Sequence, residues 1–170
     1  MSKNIISSII QFIILAVVQI FILDNINLFG YINPMLYIWF IIMLPYNTPK
    51  WLVLISSFLM GISIDVFSAD IGVNATCSVL IGFLRPILLS IFSGNIDKDS
   101  SIRPSISTLG FLNFLLYSLI IVFIHHSLYF IIETFSFKEF LQVLLRISLS
   151  TIVTMLFILL LDTIFYHKKG

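Results

Sequence analysis

Charge is scarce in this sequence. Only 10% of its 170 residues are charged, and nine Lys and Arg against eight Asp and Glu leave a formal net charge of +1. A typical soluble domain is about 25% charged, and a nucleic-acid-binding protein carries a strongly basic surface. The composition therefore excludes an ordinary soluble domain and predicts no binding of nucleic acid.

Cysteine and catalytic motifs are equally scarce. Cys77 is the single cysteine, which excludes a disulfide framework and a metal site with several thiolates. The sequence contains no G-x-S-x-G, P-loop or G-x-G-x-x-G pattern. His125 and His126 are neighbours on a predicted helix, where adjacent side chains diverge, and no His or Cys stands three or four residues from either. We predict no enzymatic activity, no cofactor and no metal site.

Apolar residues are what the sequence has in abundance. They make up 59% of the chain, and the mean hydropathy is +1.13. A membrane helix needs about 20 apolar residues, and runs such as LLYSLIIVFI lack the alternation of barrel strands. We predict an all-α integral membrane protein with one domain and six transmembrane helices, at about 5–23, 32–46, 51–67, 71–92, 109–132 and 140–166.

The basic residues of the predicted loops indicate an orientation. Only Lys138 falls on one side of the six predicted spans. Cytoplasmic loops carry an excess of Lys and Arg, so we predict that the other side, with both termini, is cytoplasmic. That side holds Lys3, Lys50, Lys98, Arg103, Lys168 and Lys169.

Ionisable residues inside predicted spans are costly in lipid and are candidates for function. At a rise of 1.5 Å per residue, Asp65 and Arg146 both fall in the periplasmic third of the membrane, and Arg85 and Asp162 in the cytoplasmic third. We predict two ion pairs or water-bridged contacts, Asp65 with Arg146 and Arg85 with Asp162. Three alternatives stay open: Asp65 can cap the next helix, Arg85 can reach lipid head groups, and Asp162 can reach the interface.

Several short motifs follow one another in a recognisable order. Ser57, Gly61 and Asp65 lie on one stripe of the third predicted helix, where small residues allow a second helix to approach closely. The most characteristic stretch is Gly61-Ile-Ser-Ile-Asp65 followed by Gly72. The others are Gln19 to Asn25 at the end of the first span, Asn33-Pro34, GFLRP (82–86), IHH (124–126) and LLRISLST (144–151). In this order the motifs resemble the MreD family, the polytopic subunit of the bacterial rod-shape complex, or elongasome.

The resemblance implies a function without catalysis. MreD-like proteins are scaffold subunits of the bacterial inner membrane that bind MreC, and through it act with MreB, RodA and a penicillin-binding transpeptidase. The complex directs lateral peptidoglycan synthesis and so cell shape. Gly61, Asp65 and Gly72 match the positions that mark the family, and membrane lipids are the remaining expected partner.

The resemblance also leaves one rival function open. The MreD fold is similar to that of the substrate-binding subunits of energy-coupling-factor transporters, so a vitamin-like small molecule is an alternative ligand. Such a subunit needs a periplasmic pocket with polar and aromatic lining, for which the short predicted periplasmic loops offer few residues. A channel would need polar groups along several helices, and we find no such ring in the sequence.

Overall fold

The computed structural model describes residues 2–25, 32–68, 72–94, 101–134 and 140–166, with side chains from residue 5 onward. Lys98, Lys138, Lys168 and Lys169, which entered the orientation argument, lie outside these ranges. The regular elements of the described ranges are helices. They are α1 (Ser2–Val18), continued by a π-helical turn (Gln19–Leu23), α2 (Ile38–Ile42), α3 (Lys50–Asp65), α4 (Val73–Phe92), α5 (Ile106–Leu109), α6 (Phe111–Thr134) and α7 (Phe140–Tyr166).

Four of these helical stretches are long and apolar enough to cross a membrane. They are Ile5–Leu23, α4, α6 and α7. The α3 helix is apolar as well, but its 16 residues make it shorter than the other four. The chain is therefore an all-helical protein with four candidate membrane-spanning helices in its described part, and its apolar outer side chains suit contact with lipid.

The helices pack in the order α3, α4, α6 and α7, with each neighbour antiparallel to the last. Gly61 near the end of α3 lies against Ala75 near the start of α4. Glu133 near the end of α6 likewise meets Arg146 near the start of α7. We call the end of the bundle that holds these two junctions the Asp65 end. The opposite end, where α4 finishes and α6 begins, is the Arg103 end.

The second predicted span, 32–46, is wrong as a continuous helix. Only Ile38–Ile42 within it is helical, although every residue from 34 to 45 is buried. Non-helical backbone at membrane depth is tolerated where protein surrounds it. The apolar run therefore reflects enclosure by the other helices and not a helix that faces lipid. We call residues 33–46 the buried segment.

Candidate functional site

The backbone of the buried segment finds its partners on side chains from distant parts of the chain. Gln19 makes two such bonds: its Nε2 donates to Pro34 O at 3.0 Å, and its Oε1 accepts from Leu36 N at 2.8 Å. The Gln19 side chain is fully buried in the π-helical turn. Its Nε2 also donates to Asp24 Oδ1 at 2.7 Å. Burial raises the pKa of Asp24, and this hydrogen bond from Gln19 opposes the rise.

Two hydroxyl groups of helix α7 bind backbone N–H groups at the beginning of the buried segment. Ser150 Oγ accepts a hydrogen bond from Asn33 N at 3.0 Å, and Thr154 Oγ1 accepts from Met35 N at 3.1 Å. These residues are four apart and so lie one above the other on one face of α7. A buried backbone N–H without a partner costs about 1–3 kcal/mol, so these two hydroxyls stabilise the non-helical start of the segment.

Two arginines and a tyrosine bind the other end of the buried segment. The Arg85 guanidinium donates to Leu44 O, Arg103 Nη1 donates to Met43 O at 3.2 Å, and Tyr117 Oη donates to Ile42 O at 3.3 Å. These carbonyls lie at the C-terminal end of the short helix α2, where backbone carbonyls have no partner within the helix and cations are favoured. Arg103 also donates to Gln11 Oε1 at 2.6 Å and Ser8 Oγ at 2.7 Å, and so ties α1 to the segment.

Asp65 caps helix α4 from outside that helix. The residue before α4 is Gly72, which has a φ of 87° and no side chain that could cap. Asp65 Oδ1 accepts from Asn74 N at 3.0 Å and Asp65 Oδ2 accepts from Ala75 N at 2.9 Å. These are second and third residues of the helix, whose N–H groups an N-cap side chain normally binds. Gly61, one turn earlier on α3, allows the approach: a Cβ there would lie 2.6 Å from Ala75 N.

A chain of hydrogen bonds continues from Asp65 to the centre of the bundle. Asn74 Nδ2 donates to Asp65 Oδ1 at 3.0 Å, so Asn74 Oδ1 faces Tyr37 and accepts its hydroxyl proton at 2.9 Å. The same Tyr37 oxygen lies 2.9 Å from His125 Nε2. Tyr37 has one proton to donate, so His125 must donate through Nε2 and carry its lone pair on Nδ1. That Nδ1 is buried and has no partner among the described atoms.

His126 occupies a separate and fully bonded position. Its Nδ1 lies 3.0 Å from Val122 O, which can only accept, so the proton sits on Nδ1. Its Nε2 then accepts from Thr154 Oγ1 at 3.3 Å, the hydroxyl that also receives Met35 N. Within the described ranges no group of three His, Cys, Asp or Glu is placed to hold a metal ion. Hydrogen bonds to Tyr37 and Thr154 join the two histidines to the packing around the buried segment.

Both predicted ion pairs are wrong. Asp65 binds α4, whereas Arg146 forms an ion pair with Glu133 at 3.0 Å and lies 4.6 Å from the centre of the Phe130 ring. Counting residues along each helix predicted that Asp65 and Arg146 lie at the same depth in the membrane. Their helices, α3 and α7, are not neighbours, because α3 packs on α4, α4 on α6 and α6 on α7. Arg85 on α4 and Asp162 on α7 form no ion pair in the described structure, and both helices pack on α6.

Asp162 meets another element at the Arg103 end. Its Oδ2 accepts from Ile106 N, the first residue of α5, at 3.0 Å. Its side chain is 1% exposed and so is enclosed by protein.

Several residues that bind the buried segment or belong to its hydrogen-bond network were not predicted from the sequence to do so. The main ones are Gln19, Tyr37, Arg103 and Thr154, which reach the buried segment or its network. A polar residue in an apolar run is a usable signal, and Gln19 shows it clearly. Its partner, however, could not be read from the sequence, because a continuous helix at 32–46 would pair most of that backbone within itself.

Comparisons with protein-family models, with curated proteins and with solved structures find no match to this chain.

Proposed function

We propose that this chain is an MreD-like scaffold subunit of the bacterial elongasome, acting without catalysis. The observation that carries the proposal is that interior polar side chains bind backbone groups of the protein itself. Gln19, Arg103 and Thr154 bind backbone of the buried segment, and Asp65 binds backbone of α4. Such groups fix the shape of a bundle, as a subunit that presents a surface to partners requires. The family resemblance rests mainly on Gly61, Asp65 and Gly72, and these residues lie at the contact between α3 and the start of α4.

The proposed topology has six crossings and both termini in the cytoplasm, in a fold similar to that of energy-coupling-factor substrate-binding subunits. The buried segment and α3 would supply the two crossings beyond the four long apolar helices. Cysteine labelling checks this: residue 170 and residue 136 should react from opposite sides of the membrane. Cys77 is fully buried, so it gives little background. Labelling of both positions from the periplasm would contradict the topology.

The proposed partners follow from the same scaffold role. MreC would bind the bundle directly, while MreB, RodA and a penicillin-binding transpeptidase would be reached through MreC. The rival function, capture of a vitamin-like molecule, needs a periplasmic pocket. The two cavities described below lie at the Arg103 end, which is cytoplasmic in the proposed topology.

Depletion and purification together test the proposed function. Depleting the protein in its host should round or widen the cells and leave vitamin uptake unchanged. The tagged protein, purified in mild detergent, should bring an MreC-like protein with it. Normal rods after complete depletion would contradict the scaffold role, and recovery of an ATPase module with its coupling subunit would support the transporter instead.

A further inference from the structure

A polar pocket of about 580 Å³ opens at the Arg103 end of the bundle. Its walls are the turn between the buried segment and α3, the start of α3, and the last two turns of α4. The polar lining residues are Tyr46, Asn47, Thr48, Lys50, Arg85, Ser90 and Ser93. No Asp or Glu is among the described residues that line it, and the described lining includes the cations Lys50 and Arg85.

Arg85 in this pocket is a buried cation without a counter-ion among the residues that the structure describes. Its side chain is 2% exposed, and none of the described carboxylates lies within ion-pair distance of it. The guanidinium donates to Leu44 O, but its Nε has no hydrogen-bond partner among the described atoms. A buried charge with neither a counter-ion nor a full set of hydrogen bonds is unfavourable. An anion that enters the pocket would relieve both deficits.

Two further features of the pocket favour an anion. The Tyr46 hydroxyl is buried and has no described partner. A tyrosine hydroxyl can donate its proton to an anion. Helix α3 begins at the pocket after Pro49, without a side-chain cap, and a helix N-terminus favours negative charge.

An apolar groove of about 700 Å³ adjoins the pocket. Asn47, Thr48 and Pro49 line both cavities, and the groove continues between α1 and α3. On α3 its lining residues run from Leu52 to Leu59, about 10 Å along the helix axis at 1.5 Å per residue. The groove therefore leads from the polar pocket at the bundle end toward the middle of the membrane.

We propose that the pocket and the groove together bind one anionic glycerophospholipid. Its phosphate would lie near Arg85 and Lys50, and one acyl chain would lie in the groove between Ile9 on α1 and Leu59 on α3. Basic pockets between helices on the cytoplasmic side are known to take lipid head groups, and charge-assisted hydrogen bonds to phosphate are the stronger kind. The site stands independently of the scaffold function.

Native mass spectrometry of the intact protein in detergent tests the site. The probes are phosphatidylglycerol, phosphatidylcholine with the same acyl chains, and inorganic phosphate. We expect one phosphatidylglycerol to bind at least about tenfold more tightly than phosphatidylcholine, because the choline cation would meet Lys50 and Arg85. Equal binding of the two lipids would overturn the proposal. Saturable binding of inorganic phosphate that displaces the lipid would replace it with a site for a soluble anion.

Matched variants locate the bound lipid. Arg85→Gln should weaken binding of phosphatidylglycerol about tenfold or more, while Arg146→Gln, the same change at the Asp65 end, should leave it unchanged. Ile9→Trp should fill the groove and weaken binding, while Ile13→Trp should not; both isoleucines are 54% exposed on α1, and only Ile9 lines the groove. Should Arg85→Gln fail to fold, Lys50→Gln takes its place, because the Lys50 side chain is exposed. Unchanged binding in the pocket and groove variants that fold would overturn the site.

Discussion

Gly61→Ala should destabilise the protein by about 3 kcal/mol, at the upper end of what overpacking normally costs. The new Cβ would lie 2.6 Å from both Ala75 N and Asn74 O. These are backbone atoms at the start of α4, so no side-chain rotation makes room and the two helices must separate. Separation also draws Asp65 away from the N–H groups that it caps. Unfolding by SDS in mixed micelles measures the free energy of unfolding.

Gly82→Ala is the matched control for this substitution. A Cβ at Gly82 meets Ser57 Oγ at 2.5 Å and Ser57 Cβ at 3.0 Å, again across the α3–α4 contact. Here the obstacle is a side chain, and we expect a loss of about 1 kcal/mol, most of it recovered by adding Ser57→Ala. Adding Ala75→Gly to Gly61→Ala should recover nothing, because the obstacle there is backbone. A Gly61→Ala protein as stable as Gly82→Ala would contradict the close approach of the two helices.

Asp65→Ala should cost on the order of 3 kcal/mol of unfolding free energy. The carboxylate accepts three hydrogen bonds, from Asn74 N, Asn74 Nδ2 and Ala75 N. A hydrogen bond to a charged group is worth about 1.5–3 kcal/mol, and buried donors left without a partner add to the loss. Asp65→Asn should recover only part of the stability, because its amide nitrogen would face one of the three donors. The same SDS titration separates the two variants.

Asp162→Asn is the control for the change of charge. Both aspartates are 1% exposed, but Asp162 accepts a single hydrogen bond through Oδ2, and its Oδ1 has no described partner. An asparagine keeps the one oxygen that is needed, so we expect a change within about 0.5 kcal/mol. The cost of Asp65→Ala should add to that of Arg146→Ala, because Arg146 pairs with Glu133. Non-additive losses in that double-mutant cycle would restore the Asp65–Arg146 pair.

The sequence predicted the long helices well because their signal is continuous. The stretch 140–166 coincides with α7, and 109–132 differs from α6 by two residues at each end. Hydropathy over about 20 residues depends only on the composition of that stretch, so a long apolar helix can be recognised without knowing what it packs against. For the stretch 32–46 the same signal predicted a membrane-spanning helix that is not there, because an apolar run is equally suited to irregular backbone buried among helices. Its Pro34 and Pro45 were compatible with either structure.

The contacts of the candidate site were harder to predict, because the depth of two residues in the membrane does not determine whether their helices are neighbours. Counting residues placed Asp65 and Arg146 at one height, but the neighbours of a helix are set by packing across the whole bundle. The open alternative for Asp65, that it caps the next helix, describes the bond that forms. That bond joins residues nine and ten apart, whereas Thr154 and Met35 are 119 apart. Local contacts of the first kind can be read from sequence, and distant ones of the second kind require the fold.

The buried segment has a consequence for the order in which the chain assembles during synthesis. A ribosome releases residues 33–46 long before it reaches Arg103, Ser150 and Thr154, whose side chains bind that stretch of backbone. Until α7 emerges, the N–H groups of Asn33 and Met35 have no hydroxyl to receive them, and bare lipid cannot replace it. We therefore expect the segment to take its native conformation only after α7 has been made. A stretch of chain that is made early is then completed by side chains that are made late.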